Sequence, residues 1–517
     1  MRRLITADRV RTASGVLGDA VLIDGPHVVG VGNRSDLLAP GIEEVAYPGA
    51  TIVPGLADAH FHPTNWAAAV HRLTLHDAST LGDVIRAVSE RAGTMPPGKP
   101  LIATRLDDQR LAEKRLPTRH DLDVIDRPVL LYRVCGHIAV ANTAALEASG
   151  IGPATQDPAG GSFDRDAFGH PNGILRETAI RTVSSVVGAR GDGLDADEMV
   201  SALLPLHEVG LTRLSAMVAY GSDPWCGGPS ELRSVLQAAP DSPVEIDVFV
   251  IAEEPDDLTE AAERLAKSGG PVRFAGVKMF SDGSFGGHTA ALRTPYSDTG
   301  TTGTMRLPAK HRELAQRALD LGGRVAIHAI GDQAVGTVLD EFDRLLDAGA
   351  EPTRLRIEHA SLMDDADRAR FAEIGAIASM QPAFLPSDGP WLPTRLGDRV
   401  RNVFAHRSAL EAGITIAGGS DCPVEQPSPL WGMATARDRR GIVPEEEVSA
   451  EDALGMFTDG VAAALGEPPP LKPGSPARLT ILDADPVTTA AEVLPTVGVR
   501  SVWIRGRESR VATPRAG

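Results

Sequence analysis

Aromatic residues make up only 4% of this 517-residue chain, and cysteine occurs three times. Cys135, Cys226 and Cys422 lie far apart, with no CxxC pair and no zinc-ribbon spacing, which excludes a disulfide framework as the basis of the fold. No uninterrupted apolar run approaches the ~18 residues that a membrane span needs. The opening Met1-Arg2-Arg3-Leu4-Ile5-Thr6-Ala7-Asp8 holds too short an apolar stretch for a secretory leader, so the expected compartment is the cytoplasm. Long blocks of like charge are missing as well. The net charge of -18 argues against nucleic acid and anionic membranes as partners, because both select basic surface. Lysine is scarce, six residues against 45 arginines.

What is present is ordinary for a globular enzyme: 42% apolar and 23% charged residues, in a chain long enough for one large domain and a smaller one. Short alternating segments fill the beginning, as in Ala20-Val21-Leu22-Ile23-Asp24-Gly25 and His27-Val28-Val29-Gly30-Val31-Gly32. The far end repeats that texture in Ala477–Asp483 and Val497–Ile504. Neither end has enough sheet to bury a core alone, so residues 1–54 and 470–517 are expected to form one composite β-sandwich, with Pro468-Pro469-Pro470 as the linker into it.

Between them, apolar strands alternate with amphipathic helical stretches, the pattern of a parallel α/β fold. Eight strands are counted, the first running into His60 and His62, the last being Ile414-Thr415-Ile416-Ala417-Gly418-Gly419-Ser420-Asp421. The expected fold is therefore a (β/α)8 TIM barrel over residues 55–469, with chemistry where the strands end. Lys278 to His328 spans 50 residues and His328 to His359 spans 31, each suited to one strand–helix unit. His62 and Lys278 are much too far apart for three such units, which places an inserted subdomain at about 70–200, roofing the barrel mouth.

Six potential metal ligands fall at the ends of these runs: His60, His62, Lys278, His328, His359 and Asp421. His60-Phe61-His62 alternates on an extended backbone, so both imidazoles point to one side. An HxH pair by itself is often coincidence. Two further histidines closing consecutive strands shift the reading towards ligation, and Asp421 after Gly418-Gly419-Ser420 reads as a metal-facing carboxylate. Lys278 interrupts an apolar strand. It is either a lysine paired with a carboxylate such as Asp282, or a desolvated amine of lowered pKa able to form a carbamate.

Pro54-Gly55-Leu56-Ala57-Asp58-Ala59-His60-Phe61-His62 resembles the PGxxDxHxH signature of the amidohydrolase superfamily. Lys278–Ser284, His328–Asp332, Arg356–Ala360 and Gly419–Val424 resemble its YtcJ-like branch, amidohydrolase family 3, which includes N-substituted formamide deformylases. The resemblance implies a divalent metal, zinc above others, as one or two ions, with a carbamate on Lys278 where two are held. Asp107-Asp108-Gln109, Gly136-His137 with Asn142, and Gly173–Glu177 resemble the branch too. They imply substrate contacts at Asp108, Asn142 and Glu177, joined by His288 and Gln381, with His137 polarising the scissile carbonyl. Cys135 stands where relatives tend to have Asp, and His288 where Arg or Ser is commoner, so no relative's substrate transfers directly.

The activity implied is hydrolysis of a C–N bond in a small amide-type substrate (N-acyl, N-formyl or cyclic amide), Asp421 moving the proton. A hydrolytic deaminase uses the same activated water, although Ala329-Ile330-Gly331-Asp332 lacks the downstream Glu that the resemblance would require of one. An esterase or lactonase differs only in the leaving atom. A serine hydrolase is disfavoured because there is no GxSxG. A catalytically dead scaffold would be expected to lose ligands, and all six positions are filled. Self-association is left open.

Overall fold

The computed structural model describes residues 2–136, 138–158, 160–187, 194–221, 228 and 230–511. The chain divides into two compact units, one of Met1–Pro63, Leu203–Cys226 and Val235–Gly517, the other of Thr64–Ala202 and Gly227–Ser234. The insertion after the first barrel strand is thus joined by a second, short return of chain, which has no signature in the residue pattern.

In the first unit, eight strands form one parallel sheet: Leu56–Phe61, Leu211–Ala219, Glu245–Ile251, Val272–Phe280, Arg324–Ala329, Leu355–His359, Ile377–Met380 and Thr415–Gly418. Each is bonded to the next in chain order. The cylinder closes where the first strand meets the chain beyond the eighth, through a parallel bridge of Phe61 to Cys422. Asp421 N donates to His60 O at 2.8 Å, and His62 N to Cys422 O at 2.9 Å. Every position of Leu211–Ala219 and Glu245–Ile251 is buried, as expected of strands covered on both faces. Helices pack outside. Asp332–Asp347 turns Ala334, Val335, Val338, Leu339, Phe342 and Leu345 inward at helical spacing. Asp365–Ile374 starts at an Asp364–Asp367 capping box and stops at left-handed Gly375.

Several charges near the starts of these strands are paired, although Arg324 Nε is buried without a hydrogen-bond partner among the described residues. Arg213 reaches Asp247, and also Glu467 at 2.7 Å; Arg273 and Arg478 join Glu467 at 2.7 and 2.6 Å. Glu245 takes Arg478 and, at 2.6 Å, Arg505.

Both ends of the chain share a seven-stranded sheet in the order Arg507–Arg510, Val499–Ile504, Leu479–Leu482, Glu43–Pro54, Arg2–Thr12, Gly15–Asp24, His27–Gly32. It rolls over one core of Ile5, Val21, Ile23, Ile52, Leu479, Ile481 and Trp503. The roll is fastened where His27 bridges Pro476 and Val28 N donates to Ser475 O at 2.9 Å. Residue 55 links this sheet to the first barrel strand. A Cβ there would lie 2.6 Å from Thr212 Oγ1 and 2.7 Å from Arg478 Cβ, so only glycine fits.

The second unit is a six-stranded mixed sheet, ordered Gly161–Arg165, Pro171–Glu177, Ile138–Ala141, Val129–Arg133, Leu101–Leu106, Leu73–Thr74. Alternate residues feed two cores: Leu131 and Val140 on one side with the helix Leu81–Thr94, Leu130, Ala139 and Ala141 on the other with Phe163 and Leu175. Among the described residues, no helix is long and apolar enough to cross a membrane.

Candidate metal centre

Strand ends of the first unit bring the six expected residues to one rim. His60 Nε2 and His62 Nε2 lie 3.4 and 3.2 Å from Asp421 Oδ1. Among the described residues, these three are the one set of His, Cys, Asp and Glu whose ligand atoms all fall within 4.8 Å of one another. The remaining imidazoles continue the arc: the His60 and His359 rings are 4.8 Å apart, those of His359 and His328 4.6 Å. Lys278 is 1% exposed, its Nζ 4.8 Å from the centre of the Phe280 ring.

Backbone strain helps to gather these side chains. His359 and Asp421 both have positive φ, 71° and 56°. A left-handed residue costs on the order of 1–3 kcal/mol where the side chain is not glycine. It also breaks strand alternation, so that Glu358 and His359, consecutive in sequence, both flank His60. Asp58 secures the seam from behind. Its carboxylate accepts from His60 N and Ser420 N at 3.0 Å and from Ser420 Oγ at 2.6 Å.

Each ring is held from its far side. His60 Nδ1 faces the carboxylate of Glu358, which is fully buried and takes a second bond from Arg356 Nε. His359 Nδ1 donates to Gln381 Oε1 at 2.7 Å, and His328 Nε2 to the Gly283 carbonyl at 2.9 Å. Phe384 stacks on the His359 ring at 5.9 Å.

The electrostatics follow from burial. Burial lowers the His60 pKa to about 4, with the nearby Lys278 charge adding to it, so this ring is neutral at neutral pH. His359 is likewise held far below the usual histidine range by burial and by His328. Burial alone would raise Asp421 and Glu358. The His60 ring and its neighbours hold Asp421 well below the usual carboxylate range, and Arg356 with His60 does so for Glu358. Asp58, with no cation partner among the described residues, is pushed up by burial to about 7.

This donor set fits a cation. Asp421 Oδ1 is buried and takes no hydrogen bond among the described residues, while an imidazole nitrogen approaches it from each side, that of His60 on a neutral ring. Lone pairs that face one another in a dry site are stabilised by a positive ion between them.

The expected substrate contacts divide between the two units. Gln381 is 1% exposed, and its amide is engaged with His359 and with Ser379 O at 3.3 Å. His288, at φ 56° on the loop after the fourth barrel strand, pairs with Asp298 at 2.9 Å and stands edge-on to Tyr296. Asp108, Asn142 and Glu177 belong to the second unit. Asp108 accepts from Arg133 Nε at 2.6 Å. Asn142 is buried, caps the helix Thr143–Ala148, and donates to Arg127 O at 2.9 Å. Glu177 ends its strand at φ 52°. His137 lies outside the described residues. Asp58, Arg356 and Glu358 stand inside the motifs quoted from sequence but were given no role there; the signal available was charge inside an otherwise apolar strand beside the candidate histidines.

A closed parallel barrel with histidines and an aspartate gathered at its C-terminal rim defines a class, the metal-handling barrel enzymes. Within that class the chain belongs to the amidohydrolase family, which it matches over residues 43–509. It is 30% identical over 511 residues to the Bacillus subtilis (strain 168) protein described as "Putative amidohydrolase YtcJ", covering 95% of each chain. It is 28% identical over 533 residues to the N-substituted formamide deformylase of Arthrobacter pascens, covering 97% of each. Among solved structures it is similar to an uncharacterized metal-dependent hydrolase from Pyrococcus horikoshii OT3, with a TM-score of 0.77 and 26% identity over 95% of this chain and 99% of that one.

Proposed function

We propose that this protein is a metal-dependent hydrolase of small amide-type substrates, acting in the cytoplasm on a carbon–nitrogen bond with zinc as its resident ion. The observation that carries the reading is the convergence of His60, His62 and Asp421, within 4.8 Å, at a barrel rim. Those three residues would hold a divalent ion, with His328, His359 and Lys278 completing the rim. Such an ion supplies Lewis acidity, which makes water a competent nucleophile near neutral pH and polarises a carbonyl.

The chain's own residues supply the rest. Asp421, ionised at neutral pH, accepts the proton of the attacking water and returns it to the departing nitrogen, which leaves as a neutral amine. His60 stays neutral and presents a lone pair rather than a charge. Lys278 is the residue that would carry a carbamate if two ions are held, and His137 is assigned to the substrate carbonyl. The choice of C–N over C–O cleavage is supported by the relative named N-substituted formamide deformylase.

The test is ion content and turnover of the full chain grown in zinc-supplemented medium, assayed on N-formyl, N-acyl, cyclic amide and ester panels. The expected outcome is a bound ion and amide turnover that chelation abolishes and zinc restores. Turnover confined to esters would overturn the bond assignment; a chain that retains no ion would overturn the whole reading. Dependence of ion stoichiometry on added bicarbonate reads the carbamate.

A further inference from the structure

Among the buried charged groups, Arg356 and Glu358 have no part in the chemistry just described, yet they sit in the barrel interior at 1% and 0% exposure. They occupy alternate positions of one strand, Leu355–His359, and so face the same way. Arg356 Nε donates to Glu358 Oε1, and Arg356 Nη2 to Ala59 O at 2.6 Å. The guanidinium lies over the Phe249 ring at 4.5 Å, which fixes its plane. Glu358 Oε2 then meets Nδ1 of His60. The chain of contacts therefore runs from Arg356, through Glu358, to the first residue of the candidate ligand set.

We propose that Glu358, braced by Arg356, is a positioning residue that fixes the His60 tautomer and thereby governs how tightly the rim holds its cation. This rests on the metal reading above. His60 lies between two carboxylates, and a neutral imidazole has one N–H to give. Glu358 is in hydrogen-bond contact with Nδ1, whereas Asp421 Oδ1 stands 3.4 Å from Nε2, beyond good hydrogen-bond distance. The proton therefore sits on Nδ1, and Nε2 presents its lone pair towards Asp421. A carboxylate behind a ligand histidine both orients the ring and makes its free nitrogen a better donor. A neutral Gln at 358 could turn its NH2 towards Nδ1, forcing the proton onto Nε2 and blocking ligation. Gln381 and the Gly283 carbonyl do the same for His359 and His328 without a charge, so the effect should be largest at His60.

The experiment is competition between the full-length, metal-depleted protein and a chromophoric chelator for Co2+, comparing the unmutated chain with Glu358→Gln, Arg356→Met and the double variant. Loss of affinity of about 10–100-fold is expected for Glu358→Gln. A smaller loss is expected for Arg356→Met, and no further loss in the double variant, because both act through one carboxylate. Circular dichroism and the cobalt absorption spectrum separate misfolding from altered ligation. An unmutated chain that binds no Co2+ overturns the metal reading, and this proposal with it. Co2+ binding by the unmutated chain with affinity retained within about two-fold in folded Glu358→Gln overturns the proposal alone. Should that variant not fold, long-range 1H–15N spectra of ring-labelled histidine in the unmutated metal-free protein decide, with the His60 signal identified by its loss in His60→Ala. An Nδ1–H ring supports the proposal, and an Nε2–H ring overturns it.

Discussion

The two ends of the barrel treat buried charge in opposite ways. At the strand starts, Arg213, Arg273, Arg478 and Arg505 interleave with Asp247, Glu245 and Glu467, so each charge is met by its opposite. At the strand ends, His60, His62 and Asp421 turn like electron-pair donors towards each other. Arg213 and Asp247 at one end and His60 at the other are almost fully buried, where an unmatched group is expensive. The network at the starts is therefore matched within itself and serves stability. The cluster at the ends has no such internal match, which is the contrast the proposed metal reading rests on.

Four measurements would break or sharpen this contrast. Asp421→Asn should lower turnover by about 10^2 to 10^4-fold, the usual worth of a positioned proton acceptor. Measured on metal-depleted protein, its thermal midpoint should barely move, and a large loss of stability there would place Asp421 with the structural end instead. Asp247→Ala should do the reverse. It takes from Arg213, 2% exposed, one of its two carboxylate partners and leaves it Glu467, and should cost about 3 kcal/mol in a urea melt while leaving the rim's ion content intact. Stripping the ion should destabilise the fold by about 2.7 kcal/mol relative to protein at a hundred-fold excess over Kd, read as a shift in the melt; an unchanged melt would mean that the rim is self-sufficient.

The smallest expected effect concerns His406, a buried histidine outside the candidate ligand set whose pKa is lowered to about 3 by burial and by Arg439. The unfolded chain protonates it near 6.5 and the folded chain does not, so stability falls as pH drops below 6.5 and continues to fall towards 3. Between pH 6.5 and 5 this amounts to about 1.6 kcal/mol, and His406→Phe should flatten the slope over that interval. A slope unaltered by the substitution would assign it to other groups.

The strand ends were readable from the residues because barrel strands are buried on both faces, which leaves continuous apolar runs whose terminal His, Lys and Asp stand out. That is why all eight strands and the six rim residues were visible. The supports were not. Arg356 and Glu358 look like charges spoiling a strand until the partner across the barrel is known, and the positive φ of His359 and Asp421 leaves no mark in composition. Gln381 reads from sequence as a pocket residue, whereas the structure engages its amide with a ligand ring. The second return of the inserted unit, Gly227–Ser234, was missed because so short a piece shows no periodicity of its own.

The rolled sheet built from both ends has a practical consequence. Leu479–Leu482 lies between Glu43–Pro54 and Val499–Ile504, and Glu43–Pro54 leads through Gly55 directly into the strand that carries His60 and His62. Deleting the final forty or so residues would not trim an appendage. It would uncover a row of unpaired amides and carbonyls on Glu43–Pro54, an edge that invites another copy of the chain to dock. Shortened versions made for crystallisation or fusion should therefore clump before they lose chemistry, and affinity handles belong on surface loops rather than in place of that strand.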